Sequence, residues 1–117
     1  MTKFLYVSSI TWEDFEKIDI RVGTVIHAAP FEKARKPAYQ LTIDFGNLGT
    51  RKSSAQITAH YTPSDLEGKQ VIAIVNFPPK QIANFFSECL VLGIYDESKN
   101  VILLQPDRVV SNGLKIG

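Results

Sequence analysis

The sequence predicts an all-β fold: a small five-stranded barrel with one short helix between its third and fourth strands and an extra strand near the C-terminus. Three observations carry this. Residues 39–45 alternate apolar and polar side chains, as a half-buried strand does. Thr62-Pro63-Ser64-Asp65-Leu66-Glu67-Gly68 starts and stops a single helical turn, with Thr as cap, Pro at the first helical position and Gly as terminator. Residues 70–77, 89–95 and 101–105 are short, strongly apolar runs separated by turn chemistry. A length of 117 residues suits one such domain.

Taken in order, Thr11 followed by Asp14 forms a capping box that opens a short helix over Trp12–Lys17. Trp12 and Phe15 are three apart on one helix face and are expected to plug one end of the barrel. The run from Ile18 to Phe31 is long for one strand. Gly23 in its middle suggests a bulge or bend that lets it serve both sides of a barrel. Residues 32–37 form a basic loop, ended by Pro37. In Tyr39–Phe45 the apolar set is Tyr39, Leu41, Ile43 and Phe45, and Gly46-Asn47-Leu48-Gly49 then turns the chain. Arg51–Thr58 is the third strand, with Ala55 and Ile57 facing in and Lys52, Ser54, Gln56 and Thr58 facing out. Gln70–Phe77 and Cys89–Tyr95 are strands four and five, with an aromatic Pro-Lys loop between them. Val101–Gln105 is the last strand, after a turn at 96–100.

The late strands are apolar on both faces. Val71, Ala73, Val75 and Phe77 lie opposite Ile72 and Ile74, and Cys89, Val91 and Gly93 oppose Leu90, Leu92 and Ile94. One face of an antiparallel sheet normally meets water. A barrel this small is expected to need a covering for the other face: a second copy of the chain, or its own terminal segments.

Composition narrows the function. The net charge is +1, but residues 33–80 carry seven Lys and Arg against three Asp and Glu, a local net of +4. That segment is a candidate anion or nucleic-acid footprint, although the pI of 7.8 is low for a dedicated nucleic-acid domain. No apolar run approaches the ~20 residues that span a bilayer, so no membrane insertion is expected. The patch from Phe4 to Val7 is too short for a signal peptide core, and the expected location is cytoplasmic. His27 and His60 have no ligand partners at metal spacing, and Cys89 lies in an apolar strand without a base nearby. No phosphate loop or carboxylate pair is present in the sequence. No enzyme activity, metal or cofactor is expected.

What remains is a binding surface. Arg35, Lys36, Arg51, Lys52 and Lys80 are candidates to neutralise phosphates or acidic side chains. Phe31, Phe77, Phe85 and Phe86 are candidates to stack on bases or hold apolar side chains, with Ser53, Ser54 and Gln56 on the polar strand between them. The alternative puts Phe77 in the core and Phe31 beneath the basic loop. Phe85 and Phe86, being adjacent, cannot both face inward on an extended segment.

The blocks DFEKIDIRVGTV, ARKPAYQLTIDFG, SSAQIT, YTPSDLEGKQV, VNFPPKQIA and LLQPDR, with a late NG, run in order from about Thr11 to Ile116. In these the chain resembles the CsaA family of export-related chaperones, itself related to the dimeric tRNA-binding domains appended to methionyl-tRNA synthetases. The resemblance implies an OB-fold, a five-stranded Greek-key barrel, over residues 11–117 behind a 1–10 extension. It implies a homodimer that binds unfolded precursor proteins without ATP and contacts a translocation motor ATPase, with tRNA as the alternative ligand. Where tRNA-binding relatives tend to carry Ser-x-Gly-Met, this chain has Ser87-Glu88-Cys89-Leu90, and Ser87 joins the candidate site on that match. Phe77-Pro78-Pro79 fits the chaperone branch.

Overall fold

A computed structural model describes residues 8–117; the Phe4–Val7 patch lies outside the described residues. The elements are α1 (Trp12–Glu16), β1 (Ile20–Pro30), β2 (Tyr39–Asp44), β3 (Thr50–Ala55), α2 (Pro63–Leu66), β4 (Gln70–Ile74), β5 (Lys80–Ile82), β6 (Phe85–Ser87), β7 (Leu90–Val91), β8 (Gly93–Tyr95) and β9 (Val101–Leu103). Five of them form one antiparallel sheet in the order β3-β2-β1-β4-β7, which curls into a nearly closed OB-type barrel. β5–β6 and β8–β9 are separate hairpins.

The length of β1 makes the curl possible. Its first half, Ile20–Thr24, pairs with β4, and its second half, Thr24–Pro30, pairs with β2. The register slips between Val25 and His27, so the bulge falls at Ile26 and not at the expected Gly23. Gly23 has a different use. A β-carbon there would stand 2.6 Å from the Ile43 side chain and 2.7 Å from the Phe45 ring. Both those side chains are fully buried, so the glycine lets β1 lie close over the centre of the core.

The interior is filled by the alternation read from the sequence. Tyr39, Leu41, Ile43 and Phe45 from β2 and its end meet Ala55 and Ile57, Val71, Ala73 and Val75, and Leu66 of α2. α2 is held by Thr62, whose hydroxyl accepts from the Asp65 N–H while the Asp65 carboxylate accepts from the Thr62 N–H. That backbone bond holds the Asp65 carboxyl below its usual range.

Four expectations are corrected. The Thr11–Asp14 capping box is present, but α1 buries no residue and Trp12 is 83% exposed, so it plugs nothing. The helix stands off the barrel rather than across its mouth. β4 stops at Ile74; the backbone then leaves the sheet ahead of Pro78-Pro79, and Phe77 is exposed rather than fourth in the inward row. The run from Cys89 to Tyr95 is two strands in two sheets, β7 against β4 and β8 against β9. The Pro-Lys loop contains the β5–β6 hairpin, turned at Ala83, whose φ of 53° is unusual for a residue with a β-carbon.

Chain segments cover part of the outward apolar face. Ile72 is buried, whereas Leu90, Ile94 and Ile102 are exposed, the last two as register partners on one hairpin. The C-terminal residues lie along the free edge of β1's first half. Gly113 N–H donates to Val22 O (2.7 Å), Val22 N–H to Leu114 O (3.0 Å), and Ile116 N–H to Ile20 O (2.8 Å). Asn112 adds a side-chain bond to Thr24 (2.7 Å).

Candidate ligand-binding cleft

Two loops rise on either side of β3. One is the basic segment between β1 and β2; the other carries the β5–β6 hairpin between β4 and β7. They are joined beneath the surface by Phe31 and Phe85, whose ring centroids are 5.3 Å apart at 57°. With Ala38 these two rings form a small core of their own, flanked by Ala34 and Ile82. Phe31 (5% exposed) and Phe85 (9% exposed) are therefore pillars beneath the lips and offer no platform to a ligand. Phe31 does sit under the basic loop, as the alternative expected.

Between the lips lies a cleft of about 1000 Å³ lined by Lys33, Arg35, Lys36, Ser54, Gln56 and Lys80, with Ala34, Ala38, Gln81, Ile82 and Ala83. It continues into a slot of about 380 Å³ between the end of β3 and the β7–β9 region. Ser54, Gln56, Lys80 and Ile82 border both. The slot adds Ser87, Leu90, Val91, Tyr95, Lys99 and Val101. The trench thus carries Lys33, Arg35, Lys36, Lys80 and Lys99 and no carboxylate. Among the described residues none of these five makes a salt bridge, so their charge is directed at solvent or ligand.

The structure brings together five of the sequence-derived candidates here: Arg35, Lys36, Ser54, Gln56 and Lys80. Ser87 borders the slot and accepts the Ser54 N–H at 3.1 Å. Others are placed elsewhere. Ser53 is 1% exposed; it shares the inward face of Ala55 and Ile57, and its hydroxyl donates to the Cys89 carbonyl at 3.0 Å. Its position two before Ala55 was the signal for that. The Arg51 guanidinium donates to Val75 O at 2.9 Å and lines neither cavity. Lys52 is exposed on β3 but also lies outside the trench. Phe77 and Phe86 are half exposed (50% and 55%) and border the hairpin rather than the trench floor. Sequence reasoning missed Lys33, which shares the basic loop with Arg35 and Lys36, and it missed Lys99 and Tyr95, which reach the slot only because the β8–β9 hairpin folds back beside β3. Asp96 fixes that hairpin turn: its carboxylate accepts from Ser98 and Asn100 N–H and meets His60 Nε2 at 2.7 Å. The His60 contact, foremost, keeps the Asp96 carboxyl below its usual range.

The Cys89 thiol beneath the slot is pushed up to about 12 by burial, only partly offset by a hydrogen bond from Ser53. It is a packing group, not a nucleophile at neutral pH. Among the described residues no group of three or more His, Cys, Asp or Glu is arranged to hold a metal ion.

A nearly closed five-stranded barrel with a polar strand floored between two loops and a cationic rim is a module of the oligonucleotide-binding class. Residues 20–115 match the family described as a putative tRNA binding domain, and the chain belongs to that family. Among solved structures it is similar to the chaperone CsaA from Bacillus anthracis, at 54% identity over 94% of this chain and 100% of that one, with a TM-score of 0.89. The CsaA chaperone protein from Picrophilus torridus is 53% identical over 93% of this chain and 100% of that one, with a TM-score of 0.88. These two bear out the CsaA resemblance. The methionine–tRNA ligase of Methanococcoides burtonii is 36% identical over 89% of this chain, which spans only 15% of that enzyme's length.

Proposed function

We propose that the protein is a non-catalytic holder of unfolded polypeptides that acts in protein export in the cytoplasm. The observation that carries this reading is the carboxylate-free trench, with apolar and hydrogen-bonding walls beneath a cationic rim. The likeness to two CsaA chaperones over nearly their whole length supports it. In this reading Ser54 and Gln56 bond an extended backbone, Ile82, Leu90 and Tyr95 take apolar side chains, and Arg35, Lys36 and Lys80 attract acidic ones. Phe86, exposed at the lip, adds a further apolar contact. No nucleotide is part of the cycle: capture and release follow from weak, reversible contacts. Delivery to a translocation motor ATPase belongs to the same proposal.

Residues 11–117 form the binding domain and 1–10 an extension of it. A homodimer is part of the proposal too. It is supported by the exposed Ile94 and Ile102, which lie outside the trench, and by the uncovered Trp12. Two trenches per particle give avidity from weak sites. Light scattering at micromolar concentration is expected to give the mass of two chains; a single-chain mass removes this part.

Membership of a tRNA-binding family favours a second reading, in which the same cations contact RNA phosphates. The ligands are separated by salt. Between 50 and 200 mM salt, three phosphate contacts cost about 40-fold in tRNA affinity, whereas apolar polypeptide binding changes by less than about 5-fold. Titrating both ligands at the two concentrations tests the proposal. Failure of an unfolded polypeptide to bind at either concentration overturns it.

A further inference from the structure

The trench has a wall made of main chain. β3 is an edge strand, and alternate residues turn their N–H and C=O towards β2 and away from it. The Ser54 N–H meets Ser87 Oγ and the Lys52 C=O meets Glu88 N–H (2.7 Å), so residues 52 and 54 face away from β2, and Gln56, just past the end of β3, continues the alternation of exposed and buried positions. Up to Ser54 that outer edge is stoppered by the segment entering β7. Glu88 bonds Lys52 twice, once through its own N–H and once through its carboxylate (2.9 Å), and Ser87 takes the Ser54 N–H. Beyond that point the stopper ends. Among the described residues the Ser54 carbonyl and the Gln56 N–H and C=O have no hydrogen-bond partner, and both residues border the 380 Å³ slot.

On the other side, Val91 lies between register positions bonded to β4, since Leu92 N–H donates to Ile72 O. The alternation therefore turns the Val91 main-chain groups away from β4. An edge of this kind, with main-chain groups left unpaired, is a template for an added strand.

We infer that the ligand docks by strand addition: an extended acidic-apolar polypeptide segment pairs its backbone with the outer edge of β3 at Ser54–Gln56. This rests on the polypeptide reading above and specifies what is recognised. The main chain is read at β3. Side chains alternate between the apolar slot around Leu90, Tyr95 and Val101 and the cationic rim formed by Lys80 and Lys99. Charge complementarity selects the occupant, because a carboxylate-free rim disfavours a basic segment. The main-chain part of the contact is indifferent to sequence, since every residue but proline offers the same backbone.

The test uses a nonapeptide of alternating leucine and glutamate, and two derivatives N-methylated on complementary sets of alternate residues. Only one set has its N–H groups turned to β3. Strand addition predicts that one derivative loses at least tenfold in affinity, measured by fluorescence anisotropy, while the other binds within about twofold of the parent. Equal binding by both derivatives overturns strand addition but leaves polypeptide holding intact, with side chains alone providing the grip. Equal loss by both also overturns it, because a single edge cannot respond to both sets. If the unmodified peptide does not bind while tRNA does, both the inference and the polypeptide reading fall.

Discussion

Replacing Arg35, Lys36 and Lys80 together by glutamate is expected to abolish most tRNA affinity while leaving the fold unchanged. The three side chains are exposed on the two lips, and among the described residues none is tied to a carboxylate. Each phosphate contact contributes about 0.9 log units per decade of salt, so losing three at ~0.1 M costs about 500-fold, before any repulsion from the new charges. Binding of an unfolded apolar polypeptide falls far less, by about tenfold, because its contacts are mostly apolar and main-chain. Filter binding for tRNA and anisotropy for the polypeptide read the two effects, and circular dichroism checks the fold. Unchanged tRNA affinity in the triple variant would remove the cleft as the RNA interface.

Phe85→Ala and Phe86→Ala alter neighbouring residues and are expected to behave differently. Phe85 is buried against Phe31 and Ile82, and truncating a buried Phe costs about 3 kcal/mol or more through lost contacts and the cavity left behind. That loss falls on the satellite core that ties the lips together. Hydrogen exchange at residues 80–87 and in the basic loop is expected to accelerate strongly, and both ligands to bind more weakly, since the cleft loses one wall. Phe86 projects into solvent from the next position. Its truncation is expected to move stability by less than about 0.5 kcal/mol and to weaken polypeptide binding alone. If Phe86→Ala destabilises the hairpin as much as Phe85→Ala, the division into pillar and contact is wrong.

The barrel was legible because its pattern is local. Tyr39 to Phe45 alternates without interruption, and Thr62 to Gly68 contains its own start and stop, so both elements follow from neighbouring residues. The cations of the cleft were legible for a similar reason: Arg35 and Lys36 lie in a loop and Lys80 follows two prolines, where charged side chains have nowhere to go but outward. Depth was harder. Phe31, Phe85 and Phe77 look alike in sequence, and their fates depend on where each strand stops and which loop folds over which. β4 ends three residues before Phe77, and that exposes it; the hairpin closes over Phe85, and that hides it. Ser53 lies two before the inward Ala55, but what makes a hydroxyl acceptable on that face is the carbonyl that Cys89 presents to it. Lys99 and Tyr95 were out of reach, since their place beside β3 is created by barrel closure alone.

The bonds between residues 20–22 and 113–116 join stretches more than 90 positions apart. On a ribosome the leading half of β1 emerges well before its flanking partner. At about 5–20 residues per second the interval is roughly 5 to 18 seconds. Throughout that time the strand's outer border is open to any passing neighbour, including a sister chain on the same message. The seam therefore closes only long after the strand it seals has been made.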